Sequence, residues 1–347
     1  MFFIQNGAWS KNSNILSVKL AIVENAMITK PQLSKELGLS LVTVNKIVDG
    51  LVVCGEILDM GQTESTGGRK ARQYMLNKNH KSILAVLVHN DAVRFAIVNL
   101  LGEICYENTF PYDSDWMARL KEYTNIEDLP PVVCVGVTVP GTVHCGIVKN
   151  APLVHELEGV HLEKVLSEEL RLPVIIENDI NVATLGVHHG HASDTNNMVL
   201  IYLNKGIGMG TIIRNQIYQS ARNFAGELAY IHIESDFQEK NVEQYILRCI
   251  DRGEIMSVLD VLSKILANVS CVLDPDMIVI DSPLLKQEHL SVIEDGLAAI
   301  IGRDFLPRLE LSFFDEKIYF QGLYYLYMEK EYLYRKRANL SAVRCQM

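Results

Sequence analysis

Paired cysteines are missing from this chain of 347 residues. Its seven cysteines are scattered and no two of them form a C-x-x-C pair, which predicts reduced thiols in a cytoplasmic protein and not a disulfide framework. The sequence also lacks low-complexity segments, an apolar run approaching the length of a membrane span, and an N-terminal basic region followed by an apolar core. We therefore expect a cytoplasmic protein with no membrane partner.

Positive charge is scarce overall, but it is unevenly distributed. The formal net charge is −10, which would be unusual for a DNA-binding protein if it were uniform. The first 80 residues carry nine Lys or Arg and six Asp or Glu, whereas the remainder carries 23 and 36. A weakly basic head on an acidic body fits a protein that binds DNA at one end, although many cytoplasmic proteins are acidic without binding DNA.

Residues 28–51 have the pattern of a helix-turn-helix. Thr29 is placed to cap the first helix, Gly38 to end it in the left-handed conformation, and Ser40 to cap the second. An earlier helix over roughly residues 15–25 is predicted to complete the core of this unit. The second helix carries an apolar stripe of period 3.6, which consists of Val44, Ile47, Val48 and Leu51.

The polar face of the second helix and a hairpin behind it are the predicted DNA contacts. The hairpin spans residues 56–76, and its tip is rich in glycine and cations, so it can approach DNA closely and place arginine in a narrow minor groove. Short polar side chains at the start of a recognition helix can reach base edges, and a lysine can neutralise a phosphate. The predicted contacts are Ser40, Thr43, Asn45, Lys46, Arg69, Lys70 and Arg72. The alternative is a helix-turn-helix used for protein contact, with a solvated basic loop.

From residue 81 onwards, strands alternate with helices. The strands fall into two groups, each accompanied by helices. This pattern predicts an α/β body of two lobes with a cleft between them. The predicted division is a head over 1–80, a first lobe over 81–190 that a C-terminal helix within 316–347 rejoins, and a second lobe over 191–315.

Four segments of the body carry a family resemblance. Residues 177–183 read Glu-Asn-Asp-Ile-Asn-Val-Ala and residues 224–228 read Phe-Ala-Gly-Glu-Leu, while 136–141 and 206–210 contain glycine turns. In this order they resemble the ROK family of bacterial sugar kinases and sugar-responsive repressors, and the winged head resembles that of the repressor branch. The resemblance implies a two-lobed, actin-like (ribonuclease-H-like) fold and a homodimer or higher homo-oligomer.

The resemblance also implies a sugar site, and the residue types agree with it. Monosaccharides present a ring of hydroxyls, which carboxylates and amides can bind in fixed geometry. The implied effector-binding residues are Gly141, Asn178, Asp179, Glu227 and Tyr230. In the family's kinases, the aspartate that matches Asp179 is also the base that deprotonates the attacking hydroxyl. Asn178 and Asp179 have an alternative role, because they could cap a helix that starts near Ile180.

Parts of the family's ATP-binding apparatus are missing. Phosphoryl transfer depends on positioned phosphates and metal, yet the first phosphate loop, residues 89–93, contains no glycine. The second loop begins Asn-Lys-Gly at 204–206, and Asp281 would place negative charge near the adenosine. We therefore expect neither kinase activity nor a bound cofactor, although Lys205 could still bind the phosphate of a sugar phosphate or nucleotide.

The family's structural zinc site is missing too. Tyr230 stands where the family has a histidine, and no cysteine occurs between Cys145 and Cys249, so thiolate ligands are absent at the required spacing. A cluster of three histidines elsewhere in the chain is expected to be solvated or to cap a helix rather than to bind metal. These are His188, His189 and His191.

The sequence therefore predicts a cytoplasmic transcriptional regulator of the ROK type, a repressor. It is expected to bind double-stranded operator DNA as a dimer and to sense a monosaccharide or sugar phosphate in the interlobe cleft. Two alternatives remain open. One is a regulator with a decayed sugar site that acts without an effector or under a partner protein, and the other is a sugar kinase with an added DNA-binding head.

Overall fold

The computed structural model describes residues 11–62, 71–191, 195–233, 239 and 241–344, and for 11–13, 191 and 331–344 it describes the backbone only. The chain forms a head with three helices and a small sheet, followed by a body with two five-stranded sheets. The elements of the head are α1 Lys11–Asn25, β1 Ile28–Thr29, α2 Lys30–Leu37, α3 Leu41–Val53, β2 Ile57–Gln62 and β3 Arg72–Leu76.

The helices of the head begin and end where local sequence predicts. Thr29 and Gln32 form a capping box at the start of α2, and Gly38 ends this helix with a φ of 64°. Ser40 caps α3, since its side chain accepts a hydrogen bond from the Thr43 N–H at 3.1 Å. The predicted stripe of α3 is buried against α1, α2 and the sheet in a separate core, and β2 and β3 form the predicted hairpin.

The body begins at residue 82. Its first half consists of β4 Ser82–Val88, β5 Ala92–Asn99, β6 Ile104–Pro111, α4 Trp116–Leu120, β7 Val132–Val139, β8 Thr142–His144, β9 Ile147–Lys149, α5 Leu162–Leu170, β10 Val174–Asn178 and α6 Asp179–His191. The remaining elements are β11 Met198–Leu203, β12 Ile207–Ile213, β13 Gln216–Ile217, α7 Val242–Asp251, α8 Ile255–Leu273, β14 Met277–Asp281, α9 Gln287–Ile301, β15 Arg308–Ser312 and α10 Lys317–Arg344.

The two large sheets have the same strand order. The first runs β10-β7-β4-β5-β6, and the second runs β13-β12-β11-β14-β15. In each, three consecutive strands pair antiparallel and two later strands add in parallel on the other side of the first strand. The body is therefore built from two copies of one topology, as a two-lobed fold requires.

Helices α6 and α10 lie between the two sheets and share one apolar core with both. A Cβ at Gly186 of α6 would collide with the carbonyl oxygen of Ile318 in α10, and a Cβ at Gly322 of α10 would collide with the carbonyl oxygen of Val182 in α6. Because backbone lies on both sides of this contact, only glycine allows such a close approach. α10 also packs on β4, β5 and β7, whereas the domain boundaries themselves stay a prediction.

The histidines in the last turn of α6 differ from the expectation. His188 is buried, and the ring of His189 stacks on that of Tyr325 in α10 with their centroids 4.0 Å apart. Burial lowers the pKa of both histidines, so the expected solvated or capping role is wrong for these two. The reason is that α6 runs through the core between two sheets, which local sequence does not reveal. The side chain of His191 lies outside the described residues.

Helix α8 corrects the expectation that no apolar segment has the length of a membrane span. Among the residues the structure describes, this helix is long and apolar enough to cross a membrane by length and composition alone, with a mean hydropathy of 1.7. However, 56% of that stretch is buried, and its apolar side chains pack between the second sheet and helices α7 and α9. α8 is therefore a core helix of the body.

Candidate functional site

The exposed face of α3 and the adjacent strand β3 form the candidate DNA-binding surface. Lys46 is exposed on this face, and Asn45 is partly exposed beside it. Arg72, at the start of β3, forms an ion pair of 2.7 Å with Asp59 on β2. A groove of about 360 Å³ lies between α3 and β3, and its lining residues are Lys30, Pro31, Leu41, Asn45, Ala71, Arg72 and Tyr74.

The polar residues of the first turn of α3 are used locally. The hydroxyls of Ser40 and Thr43 are hydrogen-bonded to each other at 2.8 Å, in addition to the cap described above. Their contacts with DNA stay predictions, as do those of the other residues on this face. The predicted contacts Arg69 and Lys70 lie outside the described residues.

Four of the five predicted sugar-binding residues, all except Tyr230, lie near one another in the body at the corner between β10 and α6. Asn178 caps α6, because its Oδ1 accepts a hydrogen bond from the Asn181 N–H at 3.1 Å. Its Nδ2 donates to the carbonyl oxygen of Gly141 at 3.0 Å. Oδ1 of Asp179 accepts from the Ile180 N–H at 2.9 Å. The alternative capping role is therefore observed, and a separate hydrogen bond from the same side chain holds Asn178 against Gly141.

Asp179 and Glu227 place two carboxyl groups in this site. Burial raises the pKa of Asp179 to about 7, and the negative charge of Glu227 acts in the same direction. Burial also raises the pKa of Glu227, and the charge of Glu243 adds to the effect. A carboxyl that is partly protonated at neutral pH can donate as well as accept a hydrogen bond, which suits a ligand with several hydroxyls.

Two hydrogen bonds hold the segment before Glu227 against the first half of the body. Nε2 of Gln219 donates to Oε2 of Glu177 at 2.8 Å, and the side chain of Asn223 donates to the carbonyl oxygen of Val143. Glu177 is the first residue of the 177–183 motif, and its side chain is buried. Gln219 carried no sequence signal, because its partner lies 42 residues away.

Tyr230 lies at the edge of this region. Its side chain is 55% exposed, and its ring centroid is 5.5 Å from that of Phe224. Its contact with a sugar therefore stays a prediction. In the part of the chain that the structure describes, no group of three or more His, Cys, Asp or Glu side chains could hold a metal ion.

The loop between β11 and β12 is occupied by a carboxylate of the protein itself. The Ile207 N–H donates to Oε2 of Glu243 at 3.0 Å, so an amide that a phosphate-binding loop would offer to an anion is already used. At the end of β14, Asp281 accepts from the Phe314 N–H at 3.1 Å, and burial raises its pKa to about 6. Lys205 is exposed in the loop. No local pattern indicates Glu243, because α7 brings it to this loop from 36 residues away along the chain.

Comparison with known proteins identifies relatives of the body. Residues 83–249 match the model of the ROK family. A xylose repressor of Caldicellulosiruptor bescii is 28% identical over 275 residues, which cover 74% of this chain and 67% of that protein. The xylose repressor of Bacillus subtilis is 25% identical over 228 residues, which cover 61% and 58%. The chain thus spans about two thirds or less of the length of these curated relatives.

Solved structures share the fold. A ROK family transcriptional regulator, a homologue of the Escherichia coli MLC protein, superposes with a TM-score of 0.76 at 21% identity and covers 93% of this chain and 96% of its own. A ROK family glucokinase from Streptomyces griseus, in complex with glucose and AMPPNP, has a TM-score of 0.55 at 16% identity and covers 71% of this chain and 98% of its own. The predicted fold class is confirmed.

Proposed function

We propose that this chain is a transcriptional regulator of the ROK family, a repressor, that binds operator DNA through its head and a sugar or sugar derivative in its body. One observation carries the proposal: a winged helix-turn-helix with an exposed recognition face precedes a ROK body in the same chain. The named relatives are described as xylose repressors, and this supports the regulator class without specifying the effector.

The charges of the head support a DNA partner. Lys46 is exposed on the recognition face and can neutralise a phosphate, whereas Arg72 at the base of the wing can do so by exchanging its ion pair with Asp59. Asn45 lines the same groove as Arg72 and can hydrogen-bond to a base edge. We propose that the chain acts in the cytoplasm as a homodimer or higher oligomer, because two heads on paired half-sites bind DNA far more strongly than one.

The corner between β10 and α6 supports a sugar effector. Gly141, Asn178, Asp179 and Glu227 come together there, and they offer amide, carbonyl and carboxyl groups in a partly buried setting. We propose that ring hydroxyls bind to these groups. Tyr230 is proposed to contact the sugar from the exposed edge, beside Phe224.

The loop geometry favours a regulator over a kinase. Glu243 already uses the Ile207 amide, and the turn at residues 89–93 has no glycine with which to wrap a phosphate. Sugar kinases share this fold, and Asp179 matches the aspartate that acts as the base in those kinases. A sugar kinase is therefore the alternative function. The proposal is therefore that this protein binds a sugar without phosphorylating it.

Helices α6 and α10 provide a physical connection between the two proposed sites. α6 starts at Asp179 and ends beside Tyr325 of α10, and Leu16 and Leu20 of α1 pack against the same core. We propose that closure of the body around the effector moves these helices and the head. An effector can change DNA affinity only through its different affinities for the two arrangements.

A thermal-shift panel tests the proposal, with pentoses, hexoses, amino sugars and sugar phosphates, each with and without ATP and magnesium. A ligand at about a hundred times its Kd adds about 2.7 kcal/mol, which raises Tm by a few degrees. We expect one sugar class to raise Tm and to change the affinity for operator DNA. Asp179→Ala should abolish the shift, whereas Asp304→Ala, at an exposed position, should retain it.

Two other outcomes would point elsewhere. A shift that requires ATP, followed by turnover of ATP with a sugar, would establish the kinase. Silence across the whole panel, together with specific DNA binding, would favour the regulator that needs no small effector, for which the exposed Tyr230 in the zinc-ligand position is the supporting observation.

A further inference from the structure

Two apolar side chains stand exposed at the start of α3, on the face proposed to meet DNA. Val42 is 78% exposed and Leu41 is 46% exposed. The core-facing stripe of this helix begins only at Val44, so neither side chain belongs to the buried core of the head. Single exposed apolar residues are common. Here, however, two are adjacent at the helix end that enters a major groove first.

Neither helix formation nor capping explains a valine at this position. Valine is a poorer helix former than alanine or the charged residues that usually cover exposed helix positions. Ser40 and Thr43 form the cap of the helix, so capping does not involve Val42. Leu41 lines the groove towards the wing strand, whereas Val42 projects farther into solvent.

The chemistry of base edges identifies a partner for this side chain. In the major groove, the C5-methyl of thymine is the apolar group that distinguishes one base from the others. Asn45 lies three residues after Val42, on the same side of the helix, and asparagine pairs with N6 and N7 of adenine. We propose that Val42 is a specificity-determining residue that contacts the methyl group of a thymine next to an adenine read by Asn45. This inference rests on the proposed DNA-binding function.

The test uses the full chain and its own preferred DNA. A half-site is first obtained by selection from random duplexes, and each thymine in it is then replaced singly by deoxyuridine, which removes only the methyl group. We expect one replacement to weaken binding of the wild-type chain about fourfold, the effect of one buried methyl. Val42→Ala should bind the thymine duplex about fourfold more weakly and lose nothing further with deoxyuridine.

Val53→Ala is the matched control, because Val53 is 88% exposed at the opposite end of α3. It should retain the affinity of the wild type and its preference for thymine. If each replacement of thymine by deoxyuridine weakens binding by the same factor in the wild type and in Val42→Ala, the inference is wrong while the DNA-binding function stands. An equal loss in Val53→Ala would also overturn it. If the selection enriches no sequence, both the inference and the proposed function fall.

Discussion

At the scale of single residues, Asp179 is a carboxyl group of the proposed sugar site in a position that disfavours its charge. It is the first residue of α6, where its carboxyl accepts a hydrogen bond from the Ile180 N–H, but burial and the charge of Glu227 disfavour its ionised form. Its carboxylate is therefore held at a cost that the surrounding fold must offset. Such a cost is typical of a group kept for binding rather than for stability.

The pH dependence of stability should reveal this cost. The pKa of Asp179 is raised from 3.8 to about 7, so between about pH 4 and 7 the folded chain keeps a proton that the unfolded chain has lost. Stability from this group is therefore present at low pH and is lost as the pH rises through that window. We expect Asp179→Asn to become more stable relative to wild type between pH 5 and pH 8, measured by urea midpoints without effector. Asp304→Asn, at an exposed position, should show a constant difference, and the same result for Asp179→Asn would contradict the prediction.

At the scale of elements, the contact between α6 and α10 depends on paired glycines. Gly186 and Gly322 each meet the backbone of the opposite helix, which a larger side chain would push apart. Because α6 carries Asn178 and Asp179 at its start, a displaced α6 would also disturb the proposed sugar site. This contact therefore links packing to function.

Two glycines of the same helix make a controlled comparison. Gly186→Ala should lower the free energy of unfolding by about 1–3 kcal/mol, the usual cost of overpacking, and it should weaken effector binding. At Gly190 the nearest atom to an added Cβ is Oε1 of Gln321, 3.9 Å away. Gly190→Ala should therefore be neutral or stabilise by about 0.5–1 kcal/mol, since alanine favours helix. Denaturant unfolding measures both, and equal effects at the two positions would refute the packing argument.

At the scale of the whole molecule, a buried charge cluster joins the head to the body. Glu56, just before β2, pairs with Lys19 of α1 at 2.6 Å and also with Lys81, just before β4. All three residues are buried. Although burial acts to raise the pKa of Glu56, the attraction of Lys19 and Lys81 outweighs it and lowers the pKa below its ordinary value. This carboxylate therefore helps to hold the head on the body, together with the packing of Leu16 and Leu20 against the body core.

Removing that carboxylate should loosen the junction. Glu56→Gln removes the carboxylate that pairs with both Lys19 and Lys81, and removing one partner of a buried ion pair costs about 3–5 kcal/mol. Because the folded pKa is depressed, the stabilisation is present above pH 4.5 and lost as the pH falls below it. Denaturant unfolding from pH 3 to 7 should therefore show the difference between wild type and variant shrinking in acid.

A surface pair provides the control for this prediction. Glu168 lies one turn from Lys164 on α5, at 3.9 Å, and both are exposed. Glu168→Gln should change stability by less than about 0.5 kcal/mol, as exposed helix pairs do. A Glu56→Gln variant as stable as this control would show that the cluster does not hold the head in place.

Elements whose signals are local were predictable from the sequence. The predicted helix-turn-helix over residues 28–51 and the hairpin over 56–76 agree with the structure, and the start and end of α2 follow from Thr29 and Gly38. Caps and apolar periodicity act between residues a few positions apart, so they can be read without the fold. The short strands β8 and β9 were not predicted, because three residues carry too little pattern.

By itself, the sequence determined the winged head, the two α/β halves and the Asn178 cap at the start of α6, since each depends on neighbours along the chain. Only the tertiary structure decided that Glu227 lies close enough to raise the pKa of Asp179, that Glu243 uses the Ile207 amide, and that His188 is buried. These features arise where separate strands and helices meet, because electrostatic coupling and burial depend on distance in space, and residues tens of positions apart become neighbours only when the chain folds.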